Sequence, residues 1–242
     1  MRWLTAKELA DLTPEDPPAL IPGFLVYGSI TEISAKIKAG KTTLISRMVK
    51  AVLEGGEFLT KRAEQSPVIF LTEERQSSFR AALDRAGLLT NENLHILHIH
   101  EAFKMSWQDI ALEVATKADQ TAAKLIVVDT LSRWARLREE EENSAGAAAA
   151  AMEPLEIMAS MGLSVFLARH SRRGDITDPT EASRGSSAFG GAADIILNLS
   201  RSSMEYSTRR ILYCVSRFDN LPPRILMDLG RNGYRIVEDP EE

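Results

Sequence analysis

Short, uninterrupted apolar runs alternate along this chain with stretches in which apolar residues recur every three or four positions. The runs at 30–34, 68–71, 95–99, 125–128 and 165–168 predict strands. The intervening periodic stretches predict helices. Residues 41–53 place Leu44, Ile45, Met48, Val49 and Val52 on one face and stop at Gly55 and Gly56. Further helices are predicted at 77–86, ending at Gly87, at 107–118, and at 145–161, ending at Gly162 with Pro154 as a candidate kink. Strands without a polar face, set between helices, mark a parallel sheet covered on both sides. Beyond residue 190 the helical pattern stops. Strands at 195–199, 210–215, 225–229 and 234–237, joined by short connections, are expected to extend the sheet with antiparallel pairs. The fold class is therefore α/β: a mostly parallel twisted sheet flanked by helices, with antiparallel strands at the C-terminal end.

The first twenty residues differ from the rest. Thr5 and Glu8 have the spacing of a capping box, so a short helix starts there. Pro14, Pro17 and Pro18 end it. We divide the chain into an N-terminal arm, 1–20, and one domain, 21–242, with no internal repeat.

Composition narrows the function classes. The 242 residues are 44% hydrophobic and 26% charged, which suits one globular domain with a substantial core. Cys214 is the only cysteine and lies in an apolar run, so it reads as a core residue. It excludes an intrachain disulfide or a cysteine metal cluster. No segment has the apolar length of a membrane span, and the N-terminus lacks the pattern of a secretory signal. A cytoplasmic location is expected. The net charge of −5 counts against a uniformly basic nucleic-acid binder but leaves room for local basic loops.

The candidate chemistry sits between the first strand and the first long helix. Ala35, Lys36, Ile37, Lys38, Ala39, Gly40, Lys41 and Thr42 nearly match the phosphate-binding loop G-x-x-x-x-G-K-[ST], and Thr43 follows. Backbone N–H groups of such a loop and of the helix N-terminus point at phosphates. Gly40 permits close approach of the backbone. Lys41 supplies a cation for the β and γ phosphates, and the Thr42 hydroxyl is placed for Mg²⁺. The first glycine of the pattern is replaced by Ala35, which is acceptable if that position needs no positive φ. Lys38 is a second candidate for phosphate contact. The strand at 125–128 delivers Asp129 at its C-terminal end, the Walker B arrangement, as the second metal ligand. ATP and Mg²⁺ are the expected cofactors.

These residues resemble the RepA-like branch of RecA-type P-loop ATPases, a group that includes hexameric plasmid and phage replicative helicases. The resemblance rests on the segments 21–25, 33–44, 70–74, 127–131, 168–171, 184–188 and 215–218. It implies a RecA-like core and further roles. Glu73 or Glu74 would polarise the attacking water, with Glu73 favoured by its spacing to Phe79 and Leu83. His170 would sense the γ phosphate. Arg217 resembles an arginine that acts across a subunit junction, although Val215 stands where a lysine is expected. His98 and His100 share a strand face, but no carboxylate or cysteine pattern completes a metal set.

The target is less defined. Arg133, Trp134 and Arg136 follow Asp129, and Arg172, Arg173 and Arg184 follow His170. Arginines with an interleaved tryptophan suit phosphate contact and base stacking. One expectation is a homo-oligomeric ring, a hexamer by resemblance, acting on single-stranded DNA as a helicase or accessory of replication or recombination proteins. The alternative is a nucleotide-dependent switch or assembly ATPase acting on a protein partner. A small-molecule phosphotransferase is weaker, because no lid-like insertion with clustered arginines is visible.

Overall fold

The computed structural model describes residues 3–138, 140–141, 144–170, 189, 191–201, 208–219, 221–230 and 233–237. Its main element is a nine-stranded sheet. Parallel strands are β3 (Ile30–Ala35), β6 (Val68–Thr72), β7 (Leu94–His98), β8 (Leu125–Asp129), β9 (Ser164–His170) and β10 (Ile195–Arg201). Strands β11 (Arg209–Ser216), β12 (Arg224–Gly230) and β13 (Gly233–Ile236) continue it antiparallel. The order is β13-β12-β11-β10-β3-β9-β8-β6-β7. Strand β10 joins the parallel part through β3 and opens the expected antiparallel end through β11. The apolar pattern of a strand records that both faces are covered, not the direction of its neighbour.

Alternate strand residues face two separate cores. On one face, α2 (Lys41–Glu54) and α3 (Gln76–Ala86) cover Ile33, Val68, Phe70, Val127 and Phe166. On the other, α4 (Trp107–Thr121) and α6 (Ala145–Ser160) cover Ile69, Leu71, Ile126, Val128 and Leu167. The four central residues Leu125 to Val128 are fully buried, which accounts for their unbroken apolar run. Pro154 lies inside α6, buried, and does not end it.

Several elements had no clear periodic signal. The short strands β1 (Ala19–Ile21) and β2 (Leu25–Val26) pair across Gly23, whose φ of 81° favours glycine. The strands β4 (Glu57–Phe58) and β5 (Lys61–Arg62) form a second small pair. Helix α5 (Leu131–Trp134) is a single turn after β8. The strand expected at 95–99 ends at His98, and 99–102 forms a 3₁₀ turn. In the arm, α1 (Ala6–Leu12) carries the expected capping box at Thr5 and Glu8, and none of its residues is buried.

The register brings the candidate chemistry to one edge. Ala35 stands opposite His170, and Asp129 stands between Ala168 and Thr72. All four strands end there, so the chain after each one opens onto a shared crevice.

Candidate functional site

The loop after β3 turns through two residues in the left-handed region, Lys38 with φ 64° and Gly40 with φ 106°. Ala35 is the last residue of β3 and has no positive φ, so alanine costs nothing where the motif usually has glycine. Ala39 is buried under the loop, and Ile37 is exposed. Gly40 caps α2 without a side-chain bond, leaving the first-turn N–H groups of the helix toward the crevice. Lys41, Thr42 and Thr43 form that first turn.

Three loop carbonyls are engaged by side chains far along the sequence. Arg201 Nη2 donates to Lys38 O. Arg210 Nε donates to Ala39 O at 2.7 Å, and Tyr234 Oη donates to Gly40 O at 3.1 Å. Sequence reasoning missed these residues. No local motif marks them, because the contacts span more than 160 positions.

Across the crevice, Lys41 Nζ meets Asp129 Oδ1 at 3.0 Å, and both side chains are buried. The Glu73 N–H donates to the Asp129 carbonyl at 2.9 Å, joining the ends of β6 and β8. The Glu73 carboxylate is surrounded by donors. Thr130 Oγ1 donates to it at 3.2 Å, Arg133 Nε lies at 3.3 Å, and His170 Nε2 stands at 3.7 Å, an ion-pair rather than a hydrogen-bond distance. Partial burial pushes the Glu73 pKa up, but the combined pull of His170, Thr130 and Arg133 outweighs it and holds the carboxyl below its ordinary value. Glu74 behaves differently: it accepts from Ser78 Oγ at 2.6 Å and braces the first turn of α3. The two glutamates therefore have different partners, and Glu73, the one its spacing favoured, is the one beside Thr130, Arg133 and His170. A cavity of about 270 Å³ adjoins Thr42 and Thr43, walled by Arg47, Arg85, Gly230 and Gly233.

A family model of an AAA domain matches residues 2–175. The chain belongs to the AAA domain family. No curated protein matches it. Among solved structures, a KaiC-like protein from the hyperthermophilic archaeon Pyrococcus horikoshii OT3 superposes with a TM-score of 0.63 at 18% identity, covering 94% of this chain and 98% of that one. That likeness shows the fold. This AAA domain is thus a RecA-like P-loop ATPase, with the mostly parallel sheet and antiparallel C-terminal strands described above. The donor set in the crevice, with an ammonium, a threonine hydroxyl and two carboxylates, fits a magnesium nucleotide chemically.

Other predicted site residues of the AAA domain lie elsewhere. Trp134 is 1% exposed and packs in the core of α4 and α6, so the stacking role expected for it is corrected: a base cannot reach the ring. Its short helix α5 turns the indole inward against the sheet. Arg136 is exposed, with one end of its guanidinium engaged within the chain. Its Nη2 donates to the carbonyls of Ala102, Phe103 and Met105, at 3.2, 2.8 and 2.8 Å, and ties down the 3₁₀ turn. Arg133 keeps an exposed side chain. Arg172, Arg173 and Arg184 lie outside the described residues.

Arg217 sits at the opposite end of the sheet. It pairs with Asp194 Oδ1 at 3.3 Å and donates to Gly191 O at 3.0 Å, and Asp194 in turn accepts from Ile30 N. The loop leaves the sheet after Ala35, roughly 17 Å further along β3 at ~3.3 Å per residue. Arg217 therefore cannot serve its own crevice. His98 and His100 stack at 5.4 Å between ring centres, and His98 Nδ1 faces the Glu74 carbonyl at 3.1 Å. A wider apolar groove of about 530 Å³ between α4 and α6 contains none of the loop residues. Among the described residues, no helix is long and apolar enough to cross a membrane.

Proposed function

We propose that this AAA domain binds ATP at the loop 35–43 and hydrolyses it with magnesium, using Lys41, Thr42, Asp129, Glu73 and His170. The observation that carries the reading is the meeting of Lys41 and Asp129 at 3.0 Å, with Glu73 anchored to the same strand end. Two sequence-distant groups of opposite charge, buried together beside a helix N-terminus, are suited to a polyphosphate and its metal. Lys41 places its ammonium on the β and γ phosphates. The N–H groups of the first turn of α2 bind the same oxygens. Thr42 and Asp129 would hold magnesium, which supplies charge neutralisation on the phosphate oxygens. Glu73 accepts the proton of the attacking water as its oxygen bonds to the γ phosphorus and the bond to the ADP oxygen breaks. Thr130 and Arg133 hold the Glu73 carboxylate in place, and His170 reads its position from the neighbouring strand end. The cavity beside Thr42 and Thr43 receives the nucleoside.

Arg217 supports an assembly of several copies. Its distance from its own crevice and its exposed guanidinium support a role across a junction, in a homo-oligomeric ring such as the hexamers of the RepA-like group. For the target, the burial of Trp134 removes the stacking group expected for single-stranded DNA, which favours a nucleotide-driven switch or assembly ATPase acting on a protein partner. A helicase or replication accessory on single-stranded DNA rests instead on Arg133, with Arg172, Arg173 and Arg184. The test is the ATPase rate with and without single-stranded DNA, with mass measured in parallel by light scattering. Magnesium-dependent hydrolysis indifferent to DNA supports the protein-directed reading. Strong stimulation together with a ring-sized mass reverses that choice, and absence of hydrolysis at every protein concentration refutes the ATPase.

A further inference from the structure

The phosphate-binding loop is held from behind by the antiparallel end of the sheet. Arg201 ends β10, Arg210 lies on β11, and Tyr234 lies on β13. Each donates to a different loop carbonyl, those of Lys38, Ala39 and Gly40 in turn. A trans peptide is planar, and its C=O and N–H point in opposite directions. A donor that fixes the carbonyl of one residue therefore also fixes the N–H of the next. Held by Arg210 and Tyr234, the carbonyls of Ala39 and Gly40 turn away from the crevice. The N–H groups of Gly40 and Lys41 then face into it, where phosphate oxygens would accept them.

The contact at Gly40 is closely fitted. A Cβ at that position would come within 2.1 Å of Tyr234 Oη, so the glycine and the tyrosine hydroxyl occupy complementary space. Gly40 O also accepts from Leu44 N at 3.1 Å, the first bond of α2, so Tyr234 supplies its second donor. Arg210 is buried, and its guanidinium also donates to its neighbour Arg209 O at 2.9 Å, which fixes its orientation. Burial pushes the Tyr234 pKa up despite the nearby Arg210 and Arg201, which keeps the hydroxyl a donor. β13 also packs on α2, where Gly233 lies against Arg47.

We propose that Arg210 and Tyr234 are positioning residues for the triphosphate, setting the phosphate-facing N–H groups of the loop by gripping its carbonyls from the far side. The inference rests on the ATP-binding reading above. It makes the strands β11 and β13 part of the nucleotide grip, although neither touches the phosphates. Neither residue belongs to the loop motif.

The test compares the wild type with Tyr234→Phe, which deletes only the hydroxyl, and with Arg210→Gln. Binding of MgATP and MgADP is measured by calorimetry, and backbone hydrogen exchange of the peptide spanning 36–44 is measured without nucleotide. Loss of one hydrogen bond should weaken both nucleotides by about two- to tenfold. Exchange across 36–44 should rise while β6 and β8 stay protected, and KM should rise more than kcat falls. Folded Tyr234→Phe protein with unchanged affinity and unchanged exchange overturns the clamp and leaves the ATP reading standing. Exchange that rises uniformly through the core also overturns it, since the tyrosine would then be a general packing residue. A wild type without nucleotide affinity removes the ATP reading first.

Discussion

Replacing Lys41 with methionine should destabilise the nucleotide-free protein and not merely disable it. The Lys41 and Asp129 side chains are only 10% and 8% exposed and lie 3.0 Å apart. At an effective dielectric constant near 20, their attraction is about 5.5 kcal/mol before desolvation is subtracted. Removing the ammonium leaves a buried carboxylate without its partner, and breaking a buried pair in this way costs about 3–5 kcal/mol. For a chain of this size that corresponds to a fall of roughly 6–20 °C in Tm. Lys41→Met with Asp129→Asn removes both charges at once, so the double variant should recover most of the loss. The assay is urea and thermal unfolding of the wild type, the two single variants and the double variant at neutral pH, without nucleotide and with a metal chelator. Lys41→Met within about 1 kcal/mol of wild type would refute the reasoning. So would a double variant no more stable than Lys41→Met alone, because then the stranded carboxylate is not the cause.

Glu73→Gln should lower turnover by about a hundredfold or more while MgATP binding persists, and Glu74→Gln should stay within about threefold in steady-state assays. Because the Glu73 pKa lies below its ordinary value of 4.5, its carboxylate persists as pH falls toward that value, and the stability it contributes is lost only as pH drops through the lowered pKa. The kcat profile should therefore show no acid limb from Glu73 above its ordinary value; an acid limb there that disappears in Glu73→Gln would contradict this. Arg217→Ala should reduce turnover and spare ATP binding, as measured by coupled assay and calorimetry. Unchanged turnover would remove its role across a junction.

Much of the fold was legible because the central parallel strands β3, β6, β8 and β9 are buried on both faces and helices α2, α3 and α4 on one. The unbroken apolar run at 125–128 and the spacing of Leu44, Ile45, Met48, Val49 and Val52 carry that information locally. The loop and Asp129 were legible for the same reason, since a strand, a tight turn and a helix start are consecutive in sequence. The parallel partner of β10 was not, because pairing depends on which neighbour the strand reaches. Trp134 misled for a related reason. One turn of helix is too short to show a period, and its neighbours Arg133 and Arg136 suggested a solvated loop. Tyr234 and Arg210 carried no local signal at all; only the assembled sheet brings them to Ala39 and Gly40. The different partners of Glu73 and Glu74 likewise needed three dimensions, where one faces Thr130 and His170 and the other accepts from Ser78 in the first turn of α3.

The central claim is tested most directly by titrating purified, folded protein with ATP in the presence of magnesium and following the heat of binding, beside Lys41→Ala. Saturable binding by the wild type and no detectable binding by the variant is the predicted result. A folded, metal-replete wild type with no affinity for ATP or GTP, or a Lys41→Ala protein that binds as tightly, would contradict it.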